Sequence, residues 1–217
     1  MTNVDHANEL PSKDLLSDRI YDILRASILD GSREPGSRVV ESEIARSMNV
    51  SQAPVREAVK RLAHDGLVIS EPRRGSYVTE ISQDEFAIAR QLRAAVESVA
   101  ARSAIASLTP ADLADLRDIV ARMRNAADAS DSARFRSLDM RFHSRVLLIG
   151  GHAVLARVWG VLEPLLVSQR AIGDPAYAGD RATVITWHED LIAALESGNA
   201  EAASAAFFAH ASGALGE

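Results

Sequence analysis

The chain has 217 residues, 47% of them hydrophobic and 25% charged, which excludes a disordered polar chain and allows a buried core split between two modest domains. It has no cysteine, which excludes disulfide frameworks and thiolate metal sites, and no stretch reads as a signal peptide or membrane span, so a cytoplasmic protein with no membrane partner is expected. The net charge of −6 is uneven: Arg46 to Arg74 holds six Lys or Arg against three acids, whereas residues 81–217 hold 13 basic and 17 acidic groups, so a local positive field suited to phosphate contact sits inside an acidic chain.

Residues 1–12 are polar and aperiodic, a mobile tail. Leu16, Ile20, Ile23, Leu24, Ser27 and Ile28 trace one face of a helix that Asp30-Gly31 ends, and Pro35-Gly36 turns the chain. Glu41 to Met48 forms a second, short helix with Ile44, Ala45 and Met48 on its apolar side. Asn49-Val50 then makes a tight turn into Ser51, whose side chain is placed to cap the next helix. Pro54 falls in the first turn of that helix and Gly66 stops it.

Between those limits Val55, Ala58, Val59 and Leu62 make a dry stripe, leaving Gln52, Arg56 and Lys60 together on the other face. Small Ala45 permits a close crossing, so the two helices read as a helix-turn-helix whose second member recognises DNA. The plain alternative is an amphipathic helix with a solvated charged side. Leu67-Val68-Ile69 and Ser76-Tyr77-Val78-Thr79 flank Glu71-Pro72-Arg73-Arg74-Gly75, a hairpin with a basic tip, or wing. Residues 13–80 thus form a first domain of three helices and a wing. Its expected DNA contacts are Arg56, with Ser51, Gln52 and Ala53 at the helix start near base edges, Lys60 and Arg61 nearer phosphate, and Arg73, Arg74 and Gly75 in the wing.

Residues 81–217 read as six helices in an antiparallel bundle, which makes the fold class mainly α, a winged helix-turn-helix followed by that bundle. Ser82 and Glu85 form a capping box before a helix to about Ser107, and Thr109-Pro110 opens one to about Ala129. Asp131 caps a third to about Ile149, broken by Gly150-Gly151. A fourth runs from near His152 to near Ile172 with a bend at Pro164. After a loop at Gly173 to Gly179, a fifth spans Arg181 to Glu196, and Gly198-Asn199 turns into a sixth that reaches the C-terminus.

Several polar residues interrupt the dry stripes of this bundle. His188 lies among Val184, Leu191, Ile192 and Leu195, and His210 among Ala203, Phe207, Ala211 and Ala214. Asp139 and His143, four apart, share a face with Phe135, Phe142 and Val146. An inward carboxylate is costly unless something positive meets it. Asp139, His143, His188 and His210 therefore form a candidate site for a divalent transition metal, with zinc first and nickel, iron or manganese as alternatives. Hydrogen-bonded core polar groups are the alternative. His6, His64 and His152 fall in no apolar stripe and are given no role.

Arg93 shares a stripe with Phe86, Ala89, Val96 and Ala100 on the long helix, so its guanidinium is expected to face the bundle interior and to hold a small carboxylate effector, such as a hydroxy acid, sugar acid or amino acid. A local pair with Glu97 is the alternative.

Pro35-Gly36, Glu41-Ser42-Glu43-Ile44-Ala45, Val50 to Ala58, Asp65-Gly66-Leu67 and Gly75 resemble the winged helix of the GntR family of bacterial transcription regulators. The helical half resembles the FadR-type C-terminal (FCD) domain, possessing Arg93 with Glu97, Asp139 with Phe142-His143, His188 and His210, and its six helices suit the VanR-like branch. The resemblance implies an effector-controlled homodimer on a short palindromic operator, a repressor before an activator, with the four residues above as metal ligands and Arg93 at the effector. Gln52, Ala53 and Ser42 depart from residues common in the family, so the operator need not be the family's usual one. A metal-dependent enzyme and a TetR-like regulator with an apolar pocket are the competing classes. Against the first, the sequence has no HExxH and no phosphate loop; against the second stands the basic wing.

Overall fold

The computed structural model describes residues 13–168 and 180–213. Its N-terminal part runs α1 (Lys13–Leu29), β1 (Arg38–Val39), α2 (Glu41–Ser47), α3 (Gln52–His64), β2 (Val68–Glu71) and β3 (Gly75–Val78). The two strands of the wing pair antiparallel, with Val68 opposite Val78 and Glu71 opposite Gly75. β1, which follows the Pro35-Gly36 turn and is not indicated by the sequence pattern, pairs with β3 through Arg38 and Tyr77, giving a three-stranded sheet in the order β1-β3-β2. A two-residue strand carries too little alternation to be seen as a pattern.

Ile20, Leu24, Ile28, Ile44, Ala45, Val55, Ala58, Val59 and Leu62 build one core beneath this sheet. Val55 of α3 is fully buried in this core, and Asn49 takes the expected left-handed turn at φ 54°. Two details differ. Ile23, placed on the inner face, is 50% exposed, because α1 buries only the narrower Ile20, Leu24 and Ile28 line. Ser51 occupies the N-cap position of α3, but its side chain makes no capping hydrogen bond.

Six helices follow: α4 (Gln83–Ala104), α5 (Pro110–Asp128), α6 (Ser132–Gly150), α7 (Ala153–Ser168), α8 (Arg181–Glu196) and α9 (Ala200–Ser212). Side chains cap the starts of α4, α5, α6, α8 and α9. Ser82 with Glu85 and Thr109 with Asp112 close full capping boxes, Asp131 accepts from the Arg134 amide, and Asn199 accepts from the amides of Glu201 and Ala202. Gly151, at φ 71°, ends α6 in the left-handed conformation that a glycine adopts cheaply. α4 ends at Ala104, short of Ser107, and α9 stops at Ser212 with Gly213 at φ 83° rather than continuing. Arg90 on α4 donates to the Ser212 carbonyl at 2.8 Å, binding this last turn back to the bundle. Pro164 lies inside α7; the expected extension to Ile172, the Gly173 to Gly179 loop, the 1–12 tail and Ala214 fall outside the described residues.

Phe135, Phe142 and Phe207 are fully buried with Leu116, Ile119, Met123, Leu191 and Leu195 in the main core of this half. Each such aromatic contributes roughly 1.5–3 kcal/mol by leaving water, which fixes the helices that surround the polar cluster. Among the described residues no helix is long and apolar enough to cross a membrane.

Candidate nucleic-acid interface and metal centre

The face of α3 opposite the core is exposed and carries Gln52, Arg56 and Lys60, with Ser51 and Ala53 exposed at its start. Arg56 Nε lies 3.3 Å from Glu41 Oε2 and Lys60 Nζ 3.0 Å from Glu57 Oε1. Exposed pairs of this kind contribute about 0.2–1 kcal/mol, so phosphate or base edges can replace the carboxylates. In the wing, Arg73 takes φ 67° and Arg74 pairs with Glu71 at 2.6 Å. Arg38 of β1 donates to the Arg74 carbonyl at 3.3 Å and packs against Gly75, so the sheet supports the basic tip from below. Nothing in the periodicity pointed to Arg38.

Arg61 parts from this group. It pairs with Asp18 of α1 and its guanidinium lies 4.3 Å from the centre of the Tyr21 ring, while the Tyr21 hydroxyl donates to Asp65 at 2.5 Å. Burial and the Asp65 carboxylate push the Tyr21 phenol up to about 12. The phosphate contact expected of Arg61 is thus set against a structural contact to α1.

In the bundle, α6 supplies Asp139 and His143, α8 supplies His188 and α9 supplies His210. One ligand-capable atom from each lies within 4.8 Å of all the others. His143 and His188 are wholly buried and Asp139 is 3% exposed. The three imidazoles pack as a cluster, with ring centres 4.9–5.3 Å apart, and Phe142 stands 4.8 Å from His188.

The hydrogen bonds within the cluster are incomplete. His188 Nδ1 lies 2.8 Å from the Val184 carbonyl, which can only accept, so Nδ1 carries the proton. Its Nε2 then faces Asp139 Oδ1 at 3.1 Å. In the neutral ring that places a lone pair against a carboxylate, an opposition that a cation between them relieves. His188 Nε2, both ring nitrogens of His143 and His210 Nδ1 make no aligned hydrogen bond, although all are buried, and the same holds for Glu97 Oε2. A donor set of three imidazoles and one carboxylate with these orphaned nitrogens fits a divalent transition ion.

Electrostatics agree with a site poised for positive charge. Burial alone would raise the Asp139 carboxyl, yet positive charge brought to this cluster, as protons on His188 and His143 or as the Arg93 guanidinium, holds it well below the usual carboxylate range. Burial lowers His143 and lowers His210 further, so both favour the neutral form that a metal needs.

Arg93 does turn inward, with its side chain 12% exposed. It is not a bare cation, however. Its Nε donates to Glu97 Oε1 at 2.6 Å, so the local pair weighed against an effector role is present. Glu97 is 1% exposed, and its other oxygen, Oε2, lies 2.7 Å from His143 Nδ1. Burial opposes its ionisation, but Arg93 and His143 bring it down to about 2. From the sequence, Glu97 reads only as a neighbour of Arg93. Its place in the stripe of Ala89, Arg93, Val96 and Ala100 was the available signal.

Residues 16–78 match the bacterial regulatory proteins of the gntR family, and residues 89–213 match the FCD domain. The chain belongs to the gntR family and carries an FCD domain. Among relatives of this family, the HTH-type transcriptional repressor RspR of Escherichia coli K12 is 29% identical over 197 residues, 90% of this chain and 85% of the relative. The gluconate operon transcriptional repressor of Bacillus subtilis is 28% identical over 145 residues, 67% of this chain and 59% of the relative. The solved structure of E. coli McbR/YncC shares the fold, with a TM-score of 0.76 at 22% identity over 93% of this chain and 95% of that one. This gntR-family protein is a DNA-binding transcription regulator, not an enzyme, which closes the catalytic alternative. The match over 89–213 likewise replaces the TetR-like alternative.

Proposed function

We propose that this regulator acts as a repressor in the cytoplasm, binding a short palindromic operator as a homodimer, and that a small carboxylate held beside a divalent transition metal, zinc first, controls that binding. The observation that carries the reading is the buried set of Asp139, His143, His188 and His210, whose ring nitrogens converge without aligned partners. These four residues would hold the ion. When bound, it would supply open positions to which a carboxylate oxygen can attach. Arg93 stands at the edge of the set to meet the rest of that carboxylate.

On the DNA side, Ser51, Gln52, Ala53 and Arg56 would enter the major groove, with Lys60 on phosphate and Arg73, Arg74 and Gly75 at the wing. Homodimerisation is supported by two exposed apolar lines in the helical half: Ile88, Leu92 and Val99 on α4, and Val154, Val158 and Val161 on α7. A twofold dimer reads a palindrome. One relative is named for a gluconate operon, and gluconate is a hydroxy acid of the class proposed.

The test joins both ends of the molecule. Protein purified without chelator or histidine tag should carry one transition metal per chain, and DNA fragments selected by it should share a palindrome. Metal-free protein that added zinc does not stabilise would refute the metal half, and selected DNA without shared sequence would refute the operator half.

A further inference from the structure

Glu97 stands between the two parts of the proposed site. One oxygen accepts from Arg93 Nε at 2.6 Å and the other lies 2.7 Å from His143 Nδ1, in close contact though not aligned as a hydrogen bond, while His143 Nε2 looks the opposite way, 3.9 Å from Asp139 Oδ1. A carboxylate beside a guanidinium is ionised and can only accept, so the single proton of a neutral His143 is drawn to Nδ1 and the lone pair is left on Nε2. Imidazoles that ligate metals are commonly oriented by a carboxylate on their far nitrogen. Resting on the metal reading above, we infer that Glu97 is a positioning residue that fixes His143 as the Nδ1–H tautomer with Nε2 as ligand atom, and that links Arg93 to that ligand.

The geometry favours this over a merely structural pair. Arg93 and Glu97 would satisfy each other as an i,i+4 pair with Oε2 directed anywhere, yet Oε2 is buried against the one ring nitrogen that cannot also face Asp139. A glutamine here could accept from one neighbour only and would present its amide hydrogens to the other. The link also gives a ligand carboxylate at Arg93 a path to the metal: drawing the guanidinium away from Oε1 alters the carboxylate that holds His143.

The experiment uses zinc-loaded full-length protein and long-range proton–nitrogen NMR of the imidazoles. In the native protein His143 should be protonated at Nδ1 and bound through Nε2. Glu97→Gln should lose that preference and weaken zinc by about 10- to 100-fold in chelator competition. Because Glu97→Gln leaves the Arg93 charge buried and can impair folding, Arg93→Met/Glu97→Gln removes both charges and should show the same loss of zinc affinity with the fold retained. Coordination of His143 through Nδ1, or native zinc affinity in the double variant, overturns the role of Glu97 while leaving the metal site standing. Native protein that binds no zinc removes the metal reading and this inference together.

Discussion

Arg25 of α1 and Glu163 of α7 join at 2.6 Å, linking the winged helix to the helical half across 138 positions of sequence. Around them Leu29 packs on Ala100, Met140, Leu147, Leu155 and Trp159, and Arg136 donates to the Asp30 carbonyl at 3.5 Å. A cleft of about 600 Å³, lined by Tyr21, Asp65, Arg157 and Val161 as well as the pair itself, lies between the two parts. Burial raises the Glu163 carboxyl while Arg25 pulls it down. The Arg25 side chain is 36% exposed, so the pair contributes about 1 kcal/mol or less to stability. Glu163→Gln should therefore leave the melting temperature almost unchanged but speed hydrogen exchange at the end of α1 and in α7. It should also bring the operator affinities of the zinc-loaded and chelated protein closer together. An unchanged ratio in DNA titrations would place the coupling elsewhere.

Arg56 and Arg61 lie on one helix and should fail in different ways. Arg56 is exposed and pairs with Glu41, so Arg56→Ala should remove about 1–3 kcal/mol of specific operator binding and leave folding intact. Arg61 is engaged with Asp18 and Tyr21, so Arg61→Ala should lower the melting temperature more than it lowers DNA affinity. Fluorescence anisotropy on a selected operator, with a thermal melt of each variant, separates the two. Equal operator affinity for native protein and Arg56→Ala would refute the recognition face.

How far the sequence carried depends on the range of the forces involved. Helix starts were legible because caps are local: Ser82, Thr109, Asp131 and Asn199 sit at or near the starts read from the sequence. Asp139, His143, His188 and His210 were legible as a set because each breaks an apolar stripe, and burial then converts shared faces into proximity. Two-residue β1 and the support that Arg38 gives the wing were not legible, since both depend on a pairing with β3 that no local pattern records. Ile23 was misplaced, and the Arg61 contact with α1 went unseen, for a related reason: periodicity assigns a face, but which neighbour covers the edge of that face is a tertiary matter. Glu97 was read as the partner of a residue four positions away, whereas its second oxygen is spent on a helix nearly fifty residues downstream.

Acid should act on this protein in two stages. His143 and His210 are held below the ordinary imidazole value, so between their lowered values and about 6.5 the unfolded chain binds protons that the folded chain does not. Stability of the metal-free protein therefore falls as pH drops through that range. Glu97 adds a second stage with the carboxylate sign: its stabilisation is present above its ordinary 4.5 and is lost as pH falls toward about 2. Zinc-loaded protein should lose stability more steeply, since protons also compete with the ion for the imidazoles. Melting curves of chelated and loaded protein from neutral to mildly acid pH check this, and a metal-free melt that is flat below pH 6.5 would contradict it.

Arg93 already holds Glu97, and an effector must accommodate that pair. Phe86, Ala89 and Ala100 on the same side of α4 are buried, which carries the Arg93 guanidinium inward toward His143 by way of Glu97. In an isolated helix, Arg placed four residues before Glu is the weaker orientation of such a pair; here burial strengthens it, so a ligand must share Arg93 with Glu97 rather than meet a bare cation. A planar carboxylate can do so, because the guanidinium is a fork of donors that matches two carboxylate oxygens and Glu97 engages it through Nε. A neutral amide of the same shape loses both the charge and the second acceptor oxygen. For such binding to regulate, it must favour one arrangement of the winged helices over another, and its largest effect on DNA can be no greater than that preference. A thermal-shift and DNA-release screen of hydroxy acids, sugar acids and amino acids against their amides, on zinc-loaded protein, should find carboxylates that raise the melting temperature and change operator affinity in the native protein. Both responses should disappear in Arg93→Ala. If an uncharged or cationic compound is the tight ligand, or if Arg93→Ala answers the carboxylate as the native protein does, Arg93 is a structural partner of Glu97 and the effector binds elsewhere.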